Sequence, residues 1–139
     1  MRLASFRLVT NDLPVLTAFY ETLTGITADA PFGDDYAEVR TPGCVLALVS
    51  QRGIDQYNVG AATAAANRSA VLEFQVEDID AERLRLDTIV TDWVQEPTSQ
   101  PWGNRSMLFR DPDGNLVNLY TSTHPDMITE GTHNELSLE

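Results

Sequence analysis

Between two apolar runs, residues 105–110 and 116–121, the chain reads Asp111-Pro112-Asp113-Gly114-Asn115. Proline fixes φ at the first central turn position and Gly114 accepts a positive φ, so a segment of this composition reverses a strand and returns it alongside itself. A tight antiparallel hairpin is predicted here. Such a ribbon is only marginally stable alone, so the remaining elements must supply further strands and a cover for its apolar face.

Residues 3–10 supply the first. Ala4, Phe6 and Leu8 alternate with Ser5, Arg7 and Val9, which predicts a strand whose uniformly apolar side lies beneath a helix. Asn11 or Asp12 can cap that helix, Pro14 is tolerated in its first turn, and Leu16, Phe19, Tyr20 and Leu23 form its apolar stripe before Gly25 ends it. Strands are predicted at 26–30, 36–41 and 44–51, divided by Pro31-Phe32-Gly33-Asp34-Asp35 and Pro42-Gly43. Residues 52–69 break the pattern. They read as a linker whose Ala-rich piece, 61–66, is either a short helix or a mobile connection.

The plan then repeats. A strand at 70–76 leads to a helix opened by Asp78 and Asp80 and carrying Ile79, Leu84 and Leu86, followed by strands at 89–95, 105–110 and 116–121. Laying Val9-Thr10-Asn11-Asp12 on Gln75-Val76-Glu77-Asp78 aligns the two strand-to-helix junctions at a spacing of 66 positions. The fold class expected is α+β, with two βαβββ modules (1–51 and 70–121) forming a single domain over 1–121. A polar tail, 122–139, follows.

The hairpin stretch, with Trp102-Gly103 ahead of it, and the duplicated plan both resemble the vicinal oxygen chelate superfamily, which includes glyoxalase I, extradiol dioxygenases and bleomycin resistance proteins. The resemblance implies two mixed sheets curled around a shared cleft. In members that are enzymes it implies a divalent metal held by His or Glu on the first strand of each module and a carboxylate on the last strand. Here the matching positions, seven residues before Asp12, seven before Asp78, and on the strand after the turn, hold Ser5, Val71 and Asn118. A hydroxyl, an isopropyl group and a carboxamide do not displace the hydration shell of a divalent ion. Both histidines, His124 and His133, fall in the tail. No metal, no cofactor and no catalytic residue is therefore expected.

Strand parity around those slots gives the remaining cleft-facing side chains: Leu3, Arg7 and Val9; Glu73 and Gln75; Leu116 and Tyr120. Arg7 and Glu73 occupy equivalent positions, so they are expected either to pair across the module interface or to leave Glu73 for a cationic ligand. Trp93, Trp102, Tyr36, Tyr57, Tyr120 and Phe32 are aromatics in loops, edges or cleft-facing positions where a flat ligand could stack. Trp93 reads equally as core, and Trp102 as a brace for the turn. Serine nucleophile chemistry lacks a histidine base within the domain, and Gly53 and Gly60 are isolated rather than part of a phosphate loop.

Charge and cysteine count narrow the partners. A net charge of −12 argues against nucleic acid and anionic membrane and favours neutral or cationic ligands. Cys44, the single cysteine, excludes an intramolecular disulfide framework and reads as a small buried apolar residue. No apolar run reaches the ~18 residues of a membrane span, and the first residues enter a strand pattern directly, so the expected location is cytoplasmic. Exposed sheet edges predict a homodimer. The function expected is metal-free binding that sequesters an aromatic, neutral or cationic, antibiotic-like molecule through Ser5, Arg7, Glu73, Trp102, Asn118 and Tyr120. The alternative is a lyase, isomerase or dioxygenase with relocated or absent metal ligands. With Glu73 as its base, an Arg7 partner would lower the base's pKa rather than raise it.

Overall fold

The structure, a computed structural model, describes residues 1–31 and 33–122. Phe32 and both histidines lie outside the described residues, as does the tail from 123 on. The described residues divide into two compact units, Met1–Arg68 with Pro112–Gly114, and Ser69–Asp111 with 115–122. Each unit is a mixed sheet with its own helices.

In the first unit, β1 (Ser5–Thr10) leads into α1 (Leu13–Thr24), and β2 (Tyr36–Arg40) and β3 (Val45–Ser50) complete a sheet of order β1-β3-β2. β3 pairs parallel with β1 and antiparallel with β2. Its sequence, Val-Leu-Ala-Leu-Val, suits that central place, where both faces are covered and Leu46 through Val49 are all buried. α1 forms as its stripe dictates. Asp12 caps it by accepting from the Val15 amide at 3.2 Å, Gly25 closes it at φ 73°, and Leu16, Phe19, Tyr20 and Leu23 are buried. On β1 the burial alternation begins only at Leu8, since Phe6 is 37% exposed and Ala4 precedes the strand.

Three expectations need correction here. The strand at 26–30 is reduced to one bridge, Asp29 to Glu38. Local side chains take the donors a ladder would use: Thr24 Oγ1 accepts from the Ile26 amide at 3.1 Å and Glu21 Oε2 from the Ala28 amide at 2.8 Å. The βαβββ plan survives with its outermost strand shortened to that bridge. Nor is 52–69 all linker, because α2 (Gln51–Tyr57) starts at once after β3. Ser50 caps it through the Gly53 amide at 2.9 Å and Ile54 buries its inner side. The Ala-rich piece forms no helix. Gln51 pins it by donating to the Ala62 carbonyl and accepting from the Ala64 amide, and the Ala65 amide bonds the Val9 carbonyl. Cys44, just before β3, is half-buried rather than buried.

The second unit repeats the order with β4 (Val71–Gln75), α3 (Ile79–Arg85), β5 (Asp92–Ser99), β6 (Asn104–Arg110) and β7 (Leu116–Ser122), giving a sheet β4-β7-β6-β5. Leu72, Ile79, Leu86, Met107, Phe109, Val117 and Leu119 form its core. β5 starts at 92, later than the periodicity suggests, because the Ile89 and Val90 amides still bond the Leu86 carbonyl in a 3-10 turn. Pro97 is tolerated in β5 because this is an edge strand with two register shifts. Trp93 is architectural. It packs edge-on against Phe109 at 5.5 Å and lies 3.7 Å beneath the Arg83 guanidinium, which also bonds Glu96 and Asp87.

The predicted hairpin is present, and a buried pair adds to it. Asp111 accepts from the Asn115 amide at 2.9 Å and from Asn115 Nδ2 at 2.7 Å, while the Asp111 amide bonds the Asn115 carbonyl at 3.0 Å. Gly114 sits at φ 87° between them.

Candidate functional site

Strand register gathers three of the expected site residues on one face of the second unit. Glu73 on β4 pairs with Asn118 on β7, which pairs with Leu108 on β6. The next rung is Gln75, Tyr120, Ser106, and the one before it is Val71, Leu116, Arg110. Partnered residues share a face, so this surface sets a carboxylate and an amide between an apolar rung end and a phenol. Asn118 Nδ2 donates to Glu73 Oε2 at 3.0 Å. Burial first, and the Glu73 charge second, push the Tyr120 phenol up from its ordinary value.

Trp102 does not brace the turn, as the sequence allowed; it is 72% exposed at the tip of the β5–β6 hairpin. The base of that hairpin is closed by the Gln100 amide on the Asn104 carbonyl at 2.7 Å, and Gln100 Nε2 reaches Ser106 Oγ at 3.2 Å. Ser106 stands opposite Tyr120, so the hairpin tip that carries Trp102 lies at the Tyr120 end of the sheet. Gln100, Ser106 and Leu108 were missed in the sequence. Counting the antiparallel register outward from Asp111 and Asn115 would have found the last two.

In the first unit, Ser5 and Arg7 lie exposed on β1, and Arg7 pairs through buried Ala47 to Glu38. Glu38 accepts from the Tyr36 hydroxyl at 2.7 Å and from Arg40, and Arg40 also bonds Asp29 at 3.2 Å. These bonds hold the shortened outer strand to β2. The expected Arg7–Glu73 pair would join the two units; inside the units, Arg7 sits near Tyr36 and Glu73 takes Asn118. Tyr57 is exposed at the end of α2.

Burial, reinforced by the hydrogen bond to Glu38, pushes the Tyr36 phenol up to about 12. Since its unfolded value is ordinary, near 10, the stability it contributes is complete below pH ~10 and is lost as pH rises through the folded value. Unfolding free energy should therefore fall between pH 10 and about 12 more steeply than in Tyr36→Phe. The same drop in unfolding free energy from pH 8 to pH 11 in both proteins, read from denaturant titrations, would contradict this.

The donor set at the matched positions does not suit a metal ion. Ser5 and Val71 offer a hydroxyl and a hydrocarbon, and the Asn118 amide is spent on Glu73. Among the described residues no group of three or more His, Cys, Asp or Glu side chains could hold one. No helix among them is long and apolar enough to cross a membrane.

Two modules of parallel-plus-antiparallel sheet, each opened by a strand-to-helix junction, define the class of fold to which glyoxalases and bleomycin resistance proteins are assigned. The sequence profile of the Glyoxalase/Bleomycin resistance protein/Dioxygenase superfamily matches residues 2–119, and the chain belongs to that family. Its fold is similar to that of a glyoxalase/bleomycin resistance protein/dioxygenase from Nocardioides, with TM-score 0.72 and 23% identity, covering 90% of this chain and 85% of that one. A glyoxalase/bleomycin resistance protein/dioxygenase family enzyme from Burkholderia phytofirmans PsJN gives TM-score 0.75 and 14% identity over 88% and 99% of the two chains. Lactoylglutathione lyase from Agrobacterium tumefaciens gives 0.66 and 20% over 86% and 92%. Identities this low establish the fold alone. A comparison with curated proteins gives no match.

Proposed function

We propose that this protein is a metal-free binding protein of the superfamily that sequesters an aromatic, cationic small molecule of antibiotic type. The observation that carries the reading is the Glu73–Asn118–Tyr120 surface. It places an exposed carboxylate, already oriented by an amide, beside a phenol and the exposed Val71, where the family's chemistry would require metal donors. The net charge of −12 concentrates cations around the chain and repels anions. A cytoplasmic homodimer is part of the same reading, supported by the outer strands β1 and β4, which expose Phe6 and Val71 at the sheet edges. Lactoylglutathione lyase activity is not expected, with or without added metal.

The test is a thermal-shift screen of cationic and neutral multi-ring natural products, followed by titration of each hit against Glu73→Gln. Ligand at 100 times its Kd should add about 2.7 kcal/mol of stability. Glu73→Gln should weaken a cationic hit by three- to tenfold in dilute buffer and by less in high salt, since an exposed charge pair is screened. Tight binding of small anions, unchanged in Glu73→Gln, would overturn the reading in favour of a relocated-site enzyme.

A further inference from the structure

The atoms of the Glu73–Asn118 rung specify more than positive charge. A carboxylate has no proton to give, so the Asn118 atom facing Glu73 must be the NH2 end, and its carbonyl oxygen Oδ1 is turned elsewhere. Within this unit, among the described residues, Glu73 Oε1 and Asn118 Oδ1 accept no hydrogen bond. The rung therefore presents two acceptors, one charged and one neutral, held together by their own internal bond and by strand pairing. Both side chains are fixed before any ligand arrives, which lowers the ordering cost of binding.

We infer that the rung recognises an N–H-bearing organic cation, a primary ammonium, amidinium or guanidinium group, and discriminates against quaternary ammonium. A donor group bearing two N–H bonds can satisfy Glu73 and Asn118 at once. A quaternary nitrogen offers charge alone and leaves both acceptors facing methyl groups, without hydrogen bonds in place of the water they lose. Beside the rung, Val71 and Leu116 on one side and Tyr120 on the other leave an apolar and aromatic surface for the body of the same molecule. This inference rests on the proposed binding of cations but adds to it a count of hydrogen-bond donors.

A matched series separates the two ideas. The probes are 2-naphthylmethylamine, its N,N-dimethyl and N,N,N-trimethyl derivatives, and 2-naphthalenemethanol, titrated into the full chain by calorimetry or by NMR shifts of the Asn118 side-chain amide. Affinity should fall by about tenfold from the primary to the trimethyl cation, with the dimethyl compound between. In Asn118→Leu that ratio should shrink, because one of the two acceptors is gone while Glu73 remains. The wild-type series decides the matter even if the variant does not fold. Equal binding of all three cations, tighter than the alcohol, would overturn donor counting and leave the proposed function standing. An alcohol that binds as well as the primary amine, or a series in which nothing binds, would overturn both.

Discussion

Asp111→Ala is expected to lower the unfolding free energy by about 3 kcal/mol. Its carboxylate is buried at 4% exposure and accepts both Asn115 donors, at 2.9 and 2.7 Å, while Asn115 is itself 3% exposed. Deletion removes two charge-assisted bonds from a buried site, where water does not replace them. Asn115→Ala should also destabilise. The double variant should lose less than the two single changes combined, because each single change already removes their mutual bonds. Additive losses in denaturant melts would show that the two residues act independently, contrary to the geometry.

Trp102→Ala is expected to weaken the bound ligand by about 1–3 kcal/mol, with little change in stability. The indole is 72% exposed at a hairpin tip closed by backbone bonds and by Gln100 on Ser106, so its loss opens no cavity. An aromatic surface on a preordered hairpin suits stacking, and stacking is insensitive to salt, which separates this effect from that of Glu73→Gln. Ser5→Ala should change affinity less, since a small exposed hydroxyl has little area to lose. A ligand that binds equally well to Trp102→Ala, yet is lost in Ser5→Ala, would move the site to the β1 surface.

Much of this arrangement was legible before any coordinates. Turn chemistry gave the hairpin at Asp111 to Asn115, apolar spacing gave α1 with its cap and stop, and the repeat of Val9-to-Asp12 at Gln75-to-Asp78 gave the two-module plan. Each of these is a local signal, set by φ preferences or by a period that the chain carries within a few residues. Strand parity placed Glu73, Asn118 and Tyr120 on one face by the same means. The absence of metal-type donors at positions 5, 71 and 118 was likewise a matter of residue identity.

Tertiary structure decided the rest, wherever a side chain competed with the backbone or a partner came from a distant strand. The strand at 26–30 was lost because Glu21 and Thr24 captured its amides, and no periodicity reports such a capture. α2 formed over a segment with one buried apolar residue because Ser50 capped it and Gln51 tied the Ala-rich piece alongside. Trp93 went half-buried against Phe109 under Arg83 and Trp102 to the surface, although they lie only nine positions apart. The bond from Asn118 to Glu73 spans 45 positions of sequence and exists only because β4 and β7 pair in parallel. Residue type and short-range spacing fixed which groups were available; long-range pairing, which depends on the free energy of the whole sheet, fixed which of them meet.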